Sequence, residues 1–478
     1  MIQDERVRRL NDGHAGPGRH VLYWMQASCR VGCNHALEYA VRRANELGRP
    51  VVAGFGLTAD FPEANARHYA FLLEGLRDAQ AALADRGIPL VVRRGRPDEV
   101  AAELARDACL VVTDRGYLRV QREWRERAAA AIPRALVEVE SDVVVPVETA
   151  AARAQYAAAT LRPRIARQLA RFLVPLRETP LRAKPPARAP AGLSLDDLPA
   201  LLRGLGVDDR VPPVPGAHGG ERAAEARLRA FLERGLARYD EDRNDPGLAG
   251  QSGLSPYLHF GQVSPLRIAL AVRERARRAG PRHRAGAEAF LEELIVRREL
   301  GVNMARYEAD YDRFAVLPAW CRATLLAHAK DRRERLYTPR QLEAARTHDP
   351  YWNAAQAEMV LTGAMHGYMR MYWGKKILEW TESPEAAFRT ALRLNNRYQL
   401  DGRDPNGFAG VAWVFGKHDR PWAERPVFGL VRYMNAAGLE RKFDMKAYVE
   451  RVARLAAGRS GPLSPAAGPP PVRGPRAR

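Results

Sequence analysis

Lysine is scarce in this chain: only seven of its 76 cationic residues are Lys, the rest being Arg, in a sequence of 478 residues. Cysteine is scarcer still, and Cys29, Cys33, Cys109 and Cys321 are too few and too scattered for a disulfide framework or a structural zinc site. No apolar run approaches the ~20 residues needed to cross a bilayer, which excludes a membrane-spanning helix. The opening MIQDERVRRLNDG has no apolar stretch behind its charges, so no secretory signal is read and a cytoplasmic, reducing compartment is expected. Several catalytic signatures are also missing. There is no GxSxG elbow, no HExxH and no P-loop. No GxGxxG follows the first strand, and Gly54-Phe55-Gly56 is too short to replace it. A nucleotide-binding, RNA-modifying protein built on such a strand would need those glycines.

What is present is an uneven charge. Residues 1–150 hold 21 basic and 21 acidic residues, leaving 55 against 35 for residues 151–478 and a net +20 there. Removing the four arginines of the last twenty residues still leaves +16. An Arg-biased, solvated surface is one explanation. A nucleic-acid or polyphosphate partner is the other, and the asymmetry favours it.

The hydrophobic pattern divides the chain. Residues 20–150 alternate β-rich runs (HVLYWMQ, PVVAGFGL, IPLVVRRG, LVVTDRG, LVEVES) with helical stretches, which predicts a five-stranded, doubly wound parallel sheet of Rossmann-like α/β type. Pro97 followed by Asp98 and Glu99 predicts a helix start. Residues 151–220 read as a linker, Pro/Gly-rich from about 182 onward. Residues 221–455 read as all-α, and residues 459–478 as a disordered Pro/Gly tail.

Chemistry concentrates in the helical part. Trp373 and Trp380 are seven residues apart, ~700° of rotation and ~10 Å of rise, so both lie on one helix face; Trp352 precedes that helix. A Trp-rich core explains this spacing, and so does a path for electrons. The run LNNRYQLDGRDPNGFAGVAW is a turn rich in amides and acids, and QSGLSPYLHFG offers backbone N–H groups ahead of a helix. Together in a basic domain they suggest a large polar cofactor with a diphosphate. Cys29-x3-Cys33 beside His35 reads as buried small residues, not a metal site, and His259, His348, His366 and His418 as packing or local hydrogen bonding.

The runs YWMQ, NHALEYA, FPEANARHYAFLLEGL, EVESDVVVPVE, SGLSPYLHFGQVSP, FLEELIVRREL, THDPYWNAAQ, MHGYMRMYWGKKILEW, LDGRDPN and HDRPW, in this order over residues 20–450, closely resemble class II cyclobutane pyrimidine dimer photolyases. That resemblance implies an α/β antenna domain, a linker, and a helical domain that binds FAD and DNA. It further implies light-driven repair, in which excited reduced FAD passes an electron to a dimer flipped out of the duplex. By motif, Tyr239, Ser252, Gly253, Leu254 and Ser255 would hold the ribityl and phosphate region, and Arg370, Asn395, Asp401 and Asp404 would surround the isoalloxazine. Trp373, Trp352 and Trp380 resemble the photoreduction chain. Glu293 resembles the carboxyl group that hydrogen-bonds the dimer; the alternative is a core acid paired with Arg297 or Arg298.

Met371 and Trp413 would pack against the flipped bases, and Arg243, Arg420 and Arg432 would contact DNA. Three positions depart from the family: Cys29 where a polar amide is common, Ala364 where Lys is common, and Arg297 where some members carry an aromatic against the dimer. These bear on dimer affinity and antenna choice. A deazaflavin or folate antenna is the expected class of second chromophore, and a monomer is the expected state. A cryptochrome-like photoreceptor would share the FAD and tryptophans; Glu293, Met371 and Trp413 argue for repair.

Overall fold

The computed structural model describes residues 2–186 and 190–458. The tail expected to be disordered, 459–478, lies outside the described residues. The first part is a six-stranded sheet: β1 (Val7–Arg9), β2 (His20–Trp24), β3 (Val51–Leu57), β4 (Leu90–Arg94), β5 (Ala108–Asp114) and β6 (Leu136–Val139), in the order β1-β6-β5-β2-β3-β4. The five expected strands all pair parallel; β1, ahead of the expected domain start, adds an antiparallel edge to β6. Every residue of β2, β3 and β5 is buried, because helices cover both faces, and so these strands read as unbroken apolar runs. Asn34 caps the first long helix, His35–Leu47, by accepting from the N–H groups of Ala36 and Leu37. Pro97 opens the helix Pro97–Leu104 as expected, and that helix lies so close to β3 that a Cβ on Gly56 would meet Pro97 Cα at 2.5 Å.

The stretch between the two parts is not bare coil. Its helix Ala158–Phe172 buries Leu161, Ile165 and Phe172 in a core shared with helices of residues 224–300. Its helix Leu198–Leu205 instead packs into the core on one face of the sheet. The linker is thereby tied to both parts.

From Glu221 onward the described residues form helices, and their main core contains Trp352, Trp373 and Trp380 with Tyr372, Phe388 and Phe415. That same core takes in Tyr117, Leu118, Val143 and Val147 from the α/β part, so the two parts share buried apolar surface. Polar ties reinforce it. Gly261, in the left-handed region at φ 63°, brings its backbone so close that a Cβ would strike Ala27 O at 1.8 Å. The carboxyl of Glu299, fully buried, accepts from Val144 N–H at 2.6 Å, and burial pushes its pKa up to about 8.

Candidate active site

The run EAFLEELIVRRELGVNMARY, which reads as one helix, is three segments: Pro281–Leu291 in α form, a π-helical stretch Glu292–Arg297, and Arg298–Tyr307 in α form. π segments inside helices recur at functional sites because they re-aim side chains. Here the stretch carries both Glu293 and Arg297. Glu293 is not a core acid, and it pairs with neither Arg297 nor Arg298. Its carboxylate faces Arg243 at 2.5 Å, with the two side chains 38% and 29% exposed. Arg297 approaches Glu292 at 3.3 Å and lies over the ring of Trp413, 5.3 Å from its centroid, while Arg298 donates to Asp142 O. Arg243 also lies over Tyr239, which is buried between Phe231 and Phe290. The π-helical stretch thus carries one half-exposed ion pair, Glu293–Arg243, and one stacked pair of charge and aromatic, Arg297–Trp413.

The helix Gly367–Trp380 starts where His366 Nδ1 accepts from Tyr368 N–H at 3.2 Å. It carries Arg370, the half-buried Met371, and Trp373 within four residues. Arg370 donates to Gln399 Oε1 and stands 3.7 Å from Asp401. Gln399 in turn donates to Asn395 Oδ1 at 2.8 Å, and Asn395 Nδ2 donates to Asn396 Oδ1 at 3.1 Å. The carboxylate of Asp404 caps the next helix, Pro405–Val414, by accepting from Asn406 N–H, and its other oxygen lies 3.3 Å from His259 Nδ1. Burial raises this carboxyl, but His259, the charge of Arg298 and the Asn406 N–H together outweigh it, so Asp404 sits below the usual carboxylate range. The Pro405–Val414 helix ends with its Val414 carbonyl accepting from Lys375, a fully buried amine that burial lowers to about 7.

The three tryptophans are in contact. Trp352 stacks on Trp373 with centroids 6.4 Å apart and planes 8° from parallel, and meets Trp380 edge-on at 5.8 Å. Each is at most 4% exposed. Asp349 capping and Pro350 at the first turn start the helix Pro350–Thr362 that delivers Trp352, and Trp352 Nε1 donates to Trp373 O. Trp380 then packs against His348 and Tyr337, whose hydroxyl lies 2.8 Å from His348 Nδ1, at a groove on the protein surface.

The turn Ser252–Ser255 is held by Arg227, which donates to Ser252 O at 2.7 Å, with Gly253 left-handed at φ 68° and Leu254 buried. Residues Asn65, Arg67 and His68 grip the end of the helix Pro384–Tyr398: Asn65 donates to Arg397 O, Arg67 to Tyr398 O, and His68 Nε2 contacts Gln399 O. This explains why the run FPEANARHYAF carries so much polar character at a helix start. Gln399, Asn396 and Glu63, which accepts from Asn396, were not singled out by sequence; they lie inside quoted runs, but their partners are distant in the chain. Arg420 and Arg432 both lie over the exposed ring of Trp422, at 5.3 and 5.1 Å. Among the described residues no cluster of His, Cys, Asp and Glu is placed to hold a metal, and Cys29, Cys33 and His35 are packed at their strand-to-helix junction.

Residues 21–186 match the family model of DNA photolyase. The chain is 52% identical over 456 residues to a deoxyribodipyrimidine photo-lyase of Methanothermobacter thermautotrophicus, covering 95% of this chain and 99% of the relative. The chain belongs to the DNA photolyase family. Among solved structures, a class III photolyase from Agrobacterium tumefaciens (TM-score 0.71, 18% identity, 95% and 92% of the two chains) and a Synechocystis cryptochrome (TM-score 0.71, 17% identity, 92% and 89%) share the fold. That fold alone does not separate photolyases from cryptochromes.

Photolyases use FAD, and the residues here fit it. Arg370 keeps a buried Nε with no protein partner, and Asn395 and Asp401 lie on the same chain of contacts. On the helix Pro405–Val414, Gly410 faces open space, with nothing within 4 Å of where its Cβ would be. Among the described residues no helix is long and apolar enough to cross a membrane. A cavity at the carboxyl ends of β2 and β3 is lined by Gln26, Cys29, Phe55, Thr58 and Trp124, and closed by His259 and Arg403 of the helical part.

Proposed function

We propose that this protein is a class II photolyase that uses light to split cyclobutane pyrimidine dimers in DNA. One observation carries this reading: a single helix presents Arg370 to the buried amides, packs the half-buried Met371 against the main core, and sends Trp373 into the tryptophan stack. Cofactor grip, substrate contact and electron path are then fixed relative to one another by one rigid element.

Tyr239, Ser252, Gly253, Leu254 and Ser255 would hold the ribityl and phosphate part of FAD, and Arg370, Asn395, Asp401 and Asp404 its ring. The chemistry that bound, reduced FAD supplies is donation of one electron under blue or near-UV light, returned when the ring of the dimer has opened. The protein does the rest. Glu293 accepts hydrogen bonds from the flipped dimer, while Met371, Trp413 and Arg297 line its pocket and keep water out. Arg243, Arg420 and Arg432 neutralise phosphates, and the ring of Trp422 holds the last two close to one another. Trp373, Trp352 and Trp380 carry electrons from the surface, in the order of their contacts.

Residues 20–150 form the antenna domain, 151–220 the linker and 221–455 the FAD- and DNA-binding domain. The cavity below β2 and β3 is the site for a planar antenna of deazaflavin or folate type. Its aromatic walls suit a ring system, and Cys29 on its lining is where this chain departs from the family. The protein acts as a monomer in the cytoplasm. The test is direct: the purified protein should release flavin on denaturation, be photoreduced under blue light with a reductant, and remove dimers from irradiated DNA only when lit. Flavin uptake and photoreduction without repair would make it a cryptochrome-like photoreceptor.

A further inference from the structure

Three buried amides lie between an arginine and a carboxylate, and all run in one direction. Arg370 donates to Gln399 Oε1; Gln399 Nε2 donates to Asn395 Oδ1 at 2.8 Å; Asn395 Nδ2 donates to Asn396 Oδ1 at 3.1 Å; Asn396 Nδ2 donates to Glu63 Oε2. Gln399, Asn395 and Asn396 are each no more than 1% exposed, so none can exchange these bonds for water. A primary amide has an acceptor end and a donor end and can be turned over, so a row of amides has two possible directions. Here the direction is forced at both ends. An arginine can only donate, and an ionised carboxylate can only accept. A second donor agrees with the assignment: the backbone N–H of Arg403 points at Asn396 Oδ1, at 3.0 Å. Because each amide polarises the next, the row acts as a unit.

Glu63 belongs to the other domain. It sits in the loop between β3 and the helix Ala66–Asp85, in the left-handed region at φ 57°, a conformation that costs energy for a non-glycine residue. Its negative charge acts on the buried guanidinium of Arg403, and two residues on, Asn65 begins the grip on the end of the helix Pro384–Tyr398. The loop is therefore held where its acid meets the row.

We infer that Glu63 is a positioning residue for the cofactor site: from the α/β domain it supplies the acceptor that ends the row Arg370 begins, so that a donor placed there would oppose the row and disturb which atoms of Asn395 are left to face the flavin ring. This rests on the flavin reading above. With Glu63 in place, the Nδ2 group of Asn395 spends one hydrogen on Asn396, and the other remains the donor offered to a ligand.

The experiment compares Glu63→Gln and Glu63→Lys in the full-length protein. Glu63 is exposed, so both variants should fold, and thermal melting checks this. The readouts are flavin dissociation and the flavin midpoint potential, each at low and high salt. Gln still presents a carbonyl to Asn396, so E63Q should stay within about twofold of the parent in flavin affinity. Lys can only donate, so E63K must turn Asn396 over or leave it unpaired; flavin should bind about tenfold or more weakly, with a shifted potential. High salt screens a mere charge effect but not an amide direction, so the E63K change should survive it. E63K behaving as the parent, its effect vanishing in salt, or E63Q failing equally would each overturn the inference. A parent protein that binds no flavin would instead overturn the functional reading.

Discussion

Replacing Glu293 with Ala separates a substrate contact from a structural one. In the free protein the carboxylate pairs with Arg243, but both side chains are about a third exposed, so water competes for the pair. Such pairs contribute about 0–1 kcal/mol to stability. In a protein of this size that is a melting shift of at most a few degrees. If Glu293 accepts a hydrogen bond from a flipped dimer in a site emptied of water, the lost interaction is charge-assisted and worth about 1.5–3 kcal/mol. That corresponds to a roughly 10- to 100-fold weaker affinity for dimer-containing DNA. The assay is binding of two oligonucleotides that differ only by one thymine dimer, together with repair yield, bound flavin and melting temperature. Loss should be confined to the damaged oligonucleotide, with flavin retained. Equal weakening for both, or a melting drop of many degrees with repair intact, would refute the reasoning and leave a purely structural ion pair. A cycle with Arg243→Ala isolates the pair itself.

Other outcomes follow from the same geometry. Trp352→Phe interrupts the stack between Trp373 and Trp380, so photoreduction should slow strongly while protein reduced chemically beforehand still repairs; equal loss of both would mark a packing role. Arg420→Ala and Arg432→Ala should each lower the log–log salt slope of DNA binding by about 0.9, read from titrations across ionic strength, whereas unchanged slopes would remove them from the phosphate contacts. Glu299 is protonated in the folded protein up to about 8, against 4.5 for an ordinary glutamate, so its contribution is fully present below 4.5 and is lost as pH rises toward 8. Denaturant titrations should show stability falling across that window in the parent and a flatter profile in Glu299→Gln.

Much of the fold was legible because the α/β part obeys simple periodicity: the fully buried β2, β3 and β5 read as apolar runs, and Pro97 marked its helix. Strand β1 was not legible, since Val7-Arg8-Arg9 is a short edge strand that makes sense only once β6 is beside it. The π-helical stretch was hidden for another reason. Its residues have the same apolar spacing as an α-helix, and the partners that Glu293 and Arg297 meet from it, Arg243 and Trp413, are distant in the chain. Trp373 and Trp380 were correctly placed on one face, but it is Trp352, from the neighbouring helix, that bridges them. The amide row was the least legible part. Its members sit in one short run, yet the acceptor that ends it is Glu63, 333 residues from Asn396 in sequence.

Light-driven repair can be read from a single reaction. An oligonucleotide carrying a single thymine dimer is mixed with the reduced holoprotein, and intact thymines are counted against time under blue light and in darkness. Both thymines should be restored in the light, at many turnovers per protein, and none in the dark. Repair at equal rates in darkness, or no repair in the light by protein with its flavin fully reduced, would contradict it.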